Sequence, residues 1–163
     1  MIQVNVDDEI INSAKEIDKE IINRILEISL EQEGIIDKDV VVSIESANKE
    51  EIRRLNKKYR NVDRETDVLS FPIFTKEEIL NTKFKHIELG DIIICIDVVR
   101  SQSIEYNTGM RRELLYMITH GICHLLGYDH EVEEDKVIMR QKEESILNAI
   151  GVSKWKLQKR RWF

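Results

Sequence analysis

The chain has 163 residues, 42% hydrophobic and 34% charged, with 6 glycines and 1 proline. That is one domain's length, and the balance excludes collagen-like, linker-rich and proline-rich disordered chains. The net charge of −6 argues against a simple nucleic-acid coat, and the longest apolar run, Ile92-Ile93-Ile94-Cys95-Ile96, is far short of the ~20 residues of a membrane span.

Ile2, Val4 and Val6 alternate with polar residues, which predicts a short first strand. Ile10, Ala14, Ile17, Ile21, Ile25 and Ile28 then recur at spacings of three and four, one face of a long helix over about 9–32 that ends near Gly34. Val40-Val41-Val42-Ser43-Ile44 is a second strand, rich in β-branched residues. Asn48 reads as an N-cap, with Glu50 and Glu51 in the first turn of a helix that ends near Tyr59. Asp67-Val68-Leu69-Ser70-Phe71 is a third strand, closed by Pro72, which cannot donate to a central ladder. Residues 87–96 form a fourth, interrupted by Gly90-Asp91. Asp97 is read as the cap of a helix to about Tyr106, followed by helices over about 110–126, 131–149 and 153–162.

Strands confined to the first hundred residues and helices dominating afterwards predict an α+β fold. We expect a single domain over 1–163, with a small mixed sheet of about four strands packed by several helices. The start of the chain has neither the basic residues nor the apolar stretch of a secretory signal. Two cysteines, Cys95 and Cys123, cannot make a disulfide framework, so a soluble, cytoplasmic protein is expected.

Three of the four histidines fall in one segment, His120-Gly121-Ile122-Cys123-His124-Leu125-Leu126-Gly127-Tyr128-Asp129-His130. On a helix an i,i+4 pair lies about 40° apart on one face, so His120 and His124 can reach one ion. Gly127 stands where a left-handed C-terminal cap would end that helix and turn His130 back to the same point. Three imidazoles with a fourth position open is the pattern of a catalytic zinc site, placed here at the end of a central helix. Packing alone would instead have to satisfy three separate imidazoles at one helix end. His86, in a polar stretch, is read as a surface residue. Cys123 points away from the shared face and is read as a buried, inert thiol. Metzincin proteases space their histidines identically, but their catalytic Glu is replaced by Gly121, so peptidase chemistry does not follow.

The His120–His130 segment resembles the signature of the YbeY-type endoribonucleases, the bacterial rRNA maturation factors. Leu55-Asn56-Lys57-Lys58-Tyr59-Arg60, Thr66-Asp67-Val68-Leu69-Ser70-Phe71-Pro72 and Gly90-Asp91-Ile92 with Ile94 are similar to further blocks of that family, in its order, over about 50–150. The resemblance implies a metal-dependent, single-strand-specific endoribonuclease that matures the 3′ end of small-subunit (16S) rRNA and acts in ribosome quality control. It implies His120, His124 and His130 as ligands of one Zn(2+) per chain, with nickel or another transition metal compatible with imidazoles. It implies Arg60 as a functional arginine in a positive groove. It also implies RNA of the small ribosomal subunit as partner, together with ribosomal or ribosome-assembly proteins, and neither DNA nor membrane.

The chemistry of these residue types agrees with that reading. Cleaving a phosphodiester builds charge on its oxygens, and a guanidinium such as Arg60 matches phosphate bidentately without losing its proton. Arg60 is otherwise the member of a surface ion pair. Arg53, Arg54, Lys57 and Lys58 become candidates for salt-sensitive RNA-backbone contacts, or are a solvated helix face. Asp129 either orients an imidazole or shapes the turn. Asp67 and Ser70 either touch substrate or complete the sheet. The basic and aromatic tail, with Lys154, Trp155, Lys156, Lys159, Arg160, Arg161, Trp162 and Phe163, either packs on the domain as a helix or stacks on bases. Two other functions use the same features: a non-catalytic ribosome-assembly factor with a structural zinc, and a metal hydrolase of another substrate.

Overall fold

The β-branched run at 40–44 becomes an interior strand of the sheet, where such side chains pack well on both sides. In the computed structural model, which describes residues 1–152, β2 (Asp39–Ser46) pairs in parallel with β1 (Ile2–Val6) on one side and β4 (His86–Ile94) on the other. β3 (Val68–Pro72) runs antiparallel along the far edge of β4, giving the order β1-β2-β4-β3. The sheet is therefore mixed, with four strands. Pro72 closes an edge strand, where its missing N–H costs no ladder bond.

Parallel neighbours need a crossover, and α1 (Asp8–Asn12) with α2 (Lys19–Gln32) supplies the one from β1 to β2. The single long helix expected over 9–32 is thus two. Glu16 takes a left-handed φ of 59°, and the Asp18 carboxylate accepts from the Ile21 N–H at 2.9 Å, capping a fresh start. The periodicity concealed the break because Ile10, Ile17, Ile22 and Ile25 are buried on both sides of it.

α3 (Lys49–Arg60) opens on Asn48 as expected. Asn48 and Glu51 form a reciprocal capping box that satisfies two otherwise orphaned N–H groups. A short α4 (Lys76–Asn81), not anticipated above, opens on the same device made by Thr75 and Glu78. α5 (Ile96–Glu105) is capped at Cys95, so Asp97 sits in the first turn and favours the helix dipole without capping it. α6 (Met110–Leu125) and α7 (Glu133–Ala149) fall close to the expected positions. The helix or tail expected over 153–163 lies outside the described residues.

Two glycines let elements approach. At Gly90, φ is 140° and a β-carbon would stand 2.2 Å from the Phe71 carbonyl oxygen, so only glycine lets β3 lie against β4 there. Beside it Leu89 is an extra residue in the β2–β4 ladder, since Val41 pairs with Glu88 and Val42 with Gly90. At Gly121 a β-carbon would meet the side chain of Ile92 at 2.9 Å, which brings α6 down onto β4. Leu114, Leu115, Ile118, Ile122 and Leu125 of α6 are buried in the main core with Val42, Ile44, Ile92 and Ile94 of the sheet. On the other side, Leu69 and Phe71 pack with Ile52 and Leu55 of α3.

Candidate metal centre

α6 carries His120 and His124 one turn apart on one face, beside β3. Their rings stand edge to face with centroids 4.6 Å apart. The helix then ends in a Schellman motif. The Tyr128 N–H donates to the Cys123 carbonyl at 3.0 Å and the Gly127 N–H to the His124 carbonyl at 3.0 Å, with Gly127 at φ 98°. This turn returns the chain, and the His130 ring comes to 4.8 Å from His124 and 5.5 Å from His120, centroid to centroid. One ligand atom from each of the three histidines lies within 4.8 Å of the other two. Among the described residues no cysteine or carboxylate completes the group.

Each of the two helical rings is held by its Nδ1. His120 Nδ1 meets the Glu143 carboxylate of α7 at 2.5 Å, and His124 Nδ1 meets the Tyr128 carbonyl at 2.9 Å. Both partners are acceptors, so each Nδ1 carries the proton and donates. The two Nε2 atoms face each other at 3.2 Å. Burial first, and then the neighbouring His120 and His130 rings, push the His124 pKa down to about 3, so the His124 ring is itself neutral at neutral pH. Burial followed by the charge of His120 lowers His130 as well. Converging ring nitrogens whose Nδ1 atoms are held by acceptors are what a transition metal requires. The donor set fits a metal ion.

The open side of the trio faces a cleft of about 260 Å³, lined also by Arg60, Arg64, Asp67, Ser70 and Tyr116. Arg60, the last residue of α3, donates from Nη2 to the Ser70 carbonyl at 2.8 Å and stands on the cleft wall. The other basic residues of α3 do not line it. Arg53 pairs with Asp63 at 2.9 Å, Lys57 lies 4.0 Å from the same carboxylate, Lys58 sits over the Tyr59 ring, and Arg54 is exposed. Arg64 reaches the cleft because the Asn56 side chain donates to its carbonyl at 2.9 Å, folding the loop after α3 back along the helix. Its sequence signal is a second arginine four residues after Arg60, across a left-handed Asn61.

Asp129 accepts from the backbone N–H of His130 at 2.7 Å and so shapes the turn. The ring-orienting carboxylate is Glu143, which the sequence reading passed over. Its signal was an acid on the apolar stripe of α7, between Met139 and Ile146, which are themselves fully buried. Lys142 beside it is buried too. It pairs with Glu33 at 3.1 Å, and the Tyr128 hydroxyl donates to the same carboxylate. Cys123 is fully buried and its pKa is raised well above the usual thiol value by that burial, as an inert thiol requires. His86 is exposed at the start of β4.

A family model described as Endoribonuclease YbeY matches residues 3–151. The chain is similar to an Endoribonuclease YbeY of Caldanaerobacter subterraneus subsp. tengcongensis, 41% identical over 135 residues, covering 79% of this chain and 85% of that one. It is likewise similar to an Endoribonuclease YbeY of Clostridioides difficile, 40% identical over 142 residues, covering 85% and 92%. A solution structure of the Thermotoga maritima protein TM1509 superposes with a TM-score of 0.53 at 27% identity, covering 98% of this chain and all of that one.

Proposed function

The chain belongs to the YbeY endoribonuclease family, and from that premise we propose that it is a metal-dependent endoribonuclease of single-stranded RNA, acting as one domain. Its role in this reading is maturation of the 3′ end of 16S rRNA and ribosome quality control. Its metal is one zinc ion on His120, His124 and His130, and its setting is the cytoplasm among ribosomal and assembly proteins. No helix among the described residues is long and apolar enough to cross a membrane.

The observation that carries the proposal is the convergence of three histidine ring nitrogens whose open side faces a cleft lined by Arg60 and Arg64. The chemistry supplied at that point by a divalent ion is Lewis-acid stabilisation of phosphoryl charge and acidification of water. The chain's own groups do the rest. Glu143 and the Tyr128 carbonyl fix two tautomers so that both Nε2 atoms face one point. Arg60, braced on the Ser70 carbonyl, offers its remaining N–H groups to a phosphate without any change of protonation. A peptidase is disfavoured on packing grounds as well. The protease glutamate would stand at Gly121, where even a β-carbon collides with Ile92.

The test incubates purified protein, His124→Ala and Arg60→Ala with single-stranded and structured RNA. The expected result is cleavage of the single strand by the parent protein alone, with binding retained in His124→Ala. Equal cleavage by all three preparations would point to a contaminant and remove the assignment.

A further inference from the structure

Asp67 and Ser70 stand on the same strand block and line the same cleft, yet their side chains are engaged differently. The Asp67 carboxylate accepts from the Val68 N–H at 2.7 Å, the Thr66 hydroxyl at 3.3 Å and the Gln102 amide at 3.0 Å. It ties the start of β3 to α5. Ser70 is 4% exposed, and its Oγ has no hydrogen-bond partner among the described residues. A buried hydroxyl left unsatisfied in this way destabilises the fold, and such a group in a native protein calls for an explanation.

Strand alternation supplies the direction. Leu69 and Phe71 pack with α3, so Ser70 belongs to the opposite face of β3, towards α6 and its histidines. Its carbonyl holds Arg60 at 2.8 Å, so a hydroxyl and a guanidinium are supported by one residue on a rigid strand. Ser70 and Arg60 are both lining residues of the cleft onto which the three rings open. An acceptor placed there meets an arginine, a neutral donor and a cation-binding trio, and an anionic oxygen is the acceptor that suits all three.

We propose that Ser70 is a catalytic residue that donates a hydrogen bond from its hydroxyl to a non-bridging oxygen of the RNA phosphodiester seated between Arg60 and the histidines. The assignment rests on the endoribonuclease reading above. The oxygen gains negative charge as the linkage breaks, so the bond strengthens towards the transition state and acts on turnover more than on binding. The hydroxyl keeps its proton throughout.

The experiment compares Ser70→Ala with the parent protein on a single-stranded RNA cleaved at one linkage. Among the described residues the hydroxyl holds no other group, so metal content and melting temperature should equal or exceed those of the parent. The value of kcat/KM should fall about 10- to 100-fold, the range for a hydrogen bond to a charged acceptor. Binding of the strand by metal-free protein should weaken by at most about 10-fold. The substrate is then made with one phosphorothioate at the cleaved linkage, each diastereomer assayed separately. Sulfur accepts hydrogen bonds poorly, so one diastereomer should slow the parent protein and slow Ser70→Ala no further. Parent-like cleavage by Ser70→Ala, a loss that tracks lower metal content or melting temperature, or a thio effect of equal size in both proteins would each overturn the proposal. Failure of the parent protein to cleave any RNA would instead remove the endoribonuclease reading beneath it.

Discussion

Glu143 and His120 meet at 2.5 Å between α7 and α6, with the carboxylate fully buried and the histidine 7% exposed. The contact joins two helices through a single Nδ1–H donor. It also fixes which nitrogen of His120 is left for a metal, so a group of α7 governs a centre built on α6 and the turn after it.

Glu143→Gln keeps the size of the side chain but exchanges a charged acceptor for a neutral amide that can turn either way. We expect metal affinity to fall about 10- to 100-fold, the usual cost of losing the partner of a metal-binding histidine. Competition against a chromophoric chelator measures this directly. Unchanged affinity would mean that His120 needs no help to present Nε2.

The histidines give metal-free protein a pH-dependent stability with a definite sign. The His124 pKa is about 3 in the folded chain against 6.5 for the free side chain. Between those values the unfolded chain holds a proton that the folded chain lacks. Stability therefore falls as pH drops from about 6.5 towards 3, by at most about 1.4 kcal/mol per pH unit for one such group, and the group adds no slope above that window. Denaturant titrations of metal-free parent and His124→Gln, repeated across this range, isolate the contribution as the difference between two slopes. Parallel curves would contradict it.

Gly121 is where the site depends on packing. In Gly121→Ala the new methyl meets Ile92 at 2.9 Å on the strand below. Alanine is the better helix former by ~1 kcal/mol, but overpacking a full core typically costs about 1–3 kcal/mol. We expect a lower melting temperature together with weaker metal binding, because the shift needed to relieve the contact moves the helix that carries His120 and His124. A variant as stable as its parent would show that Ile92 yields easily.

What the sequence made legible follows from range. The Asn48 cap, strand alternation and the His120–His124 spacing are local signals that the structure keeps, whereas the Asp97 cap gives way to Cys95. The break before Asp18 was hidden because one apolar face continues through it. α4 was missed because six residues carry little periodicity, although Thr75 and Glu78 spell a capping box. The basic run of α3 stayed open between RNA contacts and a solvated face because the sequence does not show Asp63 folding back to hold Arg53 and approach Lys57. Glu143 lies 23 residues from His120, and only the packing of α7 on α6 brings them together. The metal ligands were readable because they are close in sequence; the groups that orient them were not.

Lys142 tests whether α7 also supports the second helical ligand. Its ammonium lies 3.1 Å from Glu33, whose carboxylate also takes the Tyr128 hydroxyl, and the Tyr128 carbonyl holds His124. Lys142→Met removes a buried cation and leaves Glu33 with Lys76, at 3.6 Å, as its remaining ion-pair partner. Breaking one side of a buried pair typically costs about 3–5 kcal/mol, and Lys76 places the expectation at the lower end. Glu33→Gln added to Lys142→Met removes the stranded charge, so the double variant should be less destabilised than the sum of the two singles by about 1 kcal/mol or more. Chemical denaturation of the four proteins closes that cycle. Metal affinity should fall in Lys142→Met and recover in part in the double variant, since the Tyr128 backbone carries the effect to His124. Additive stabilities with unchanged metal affinity would confine the Lys142–Glu33 pair to holding α7 on α2.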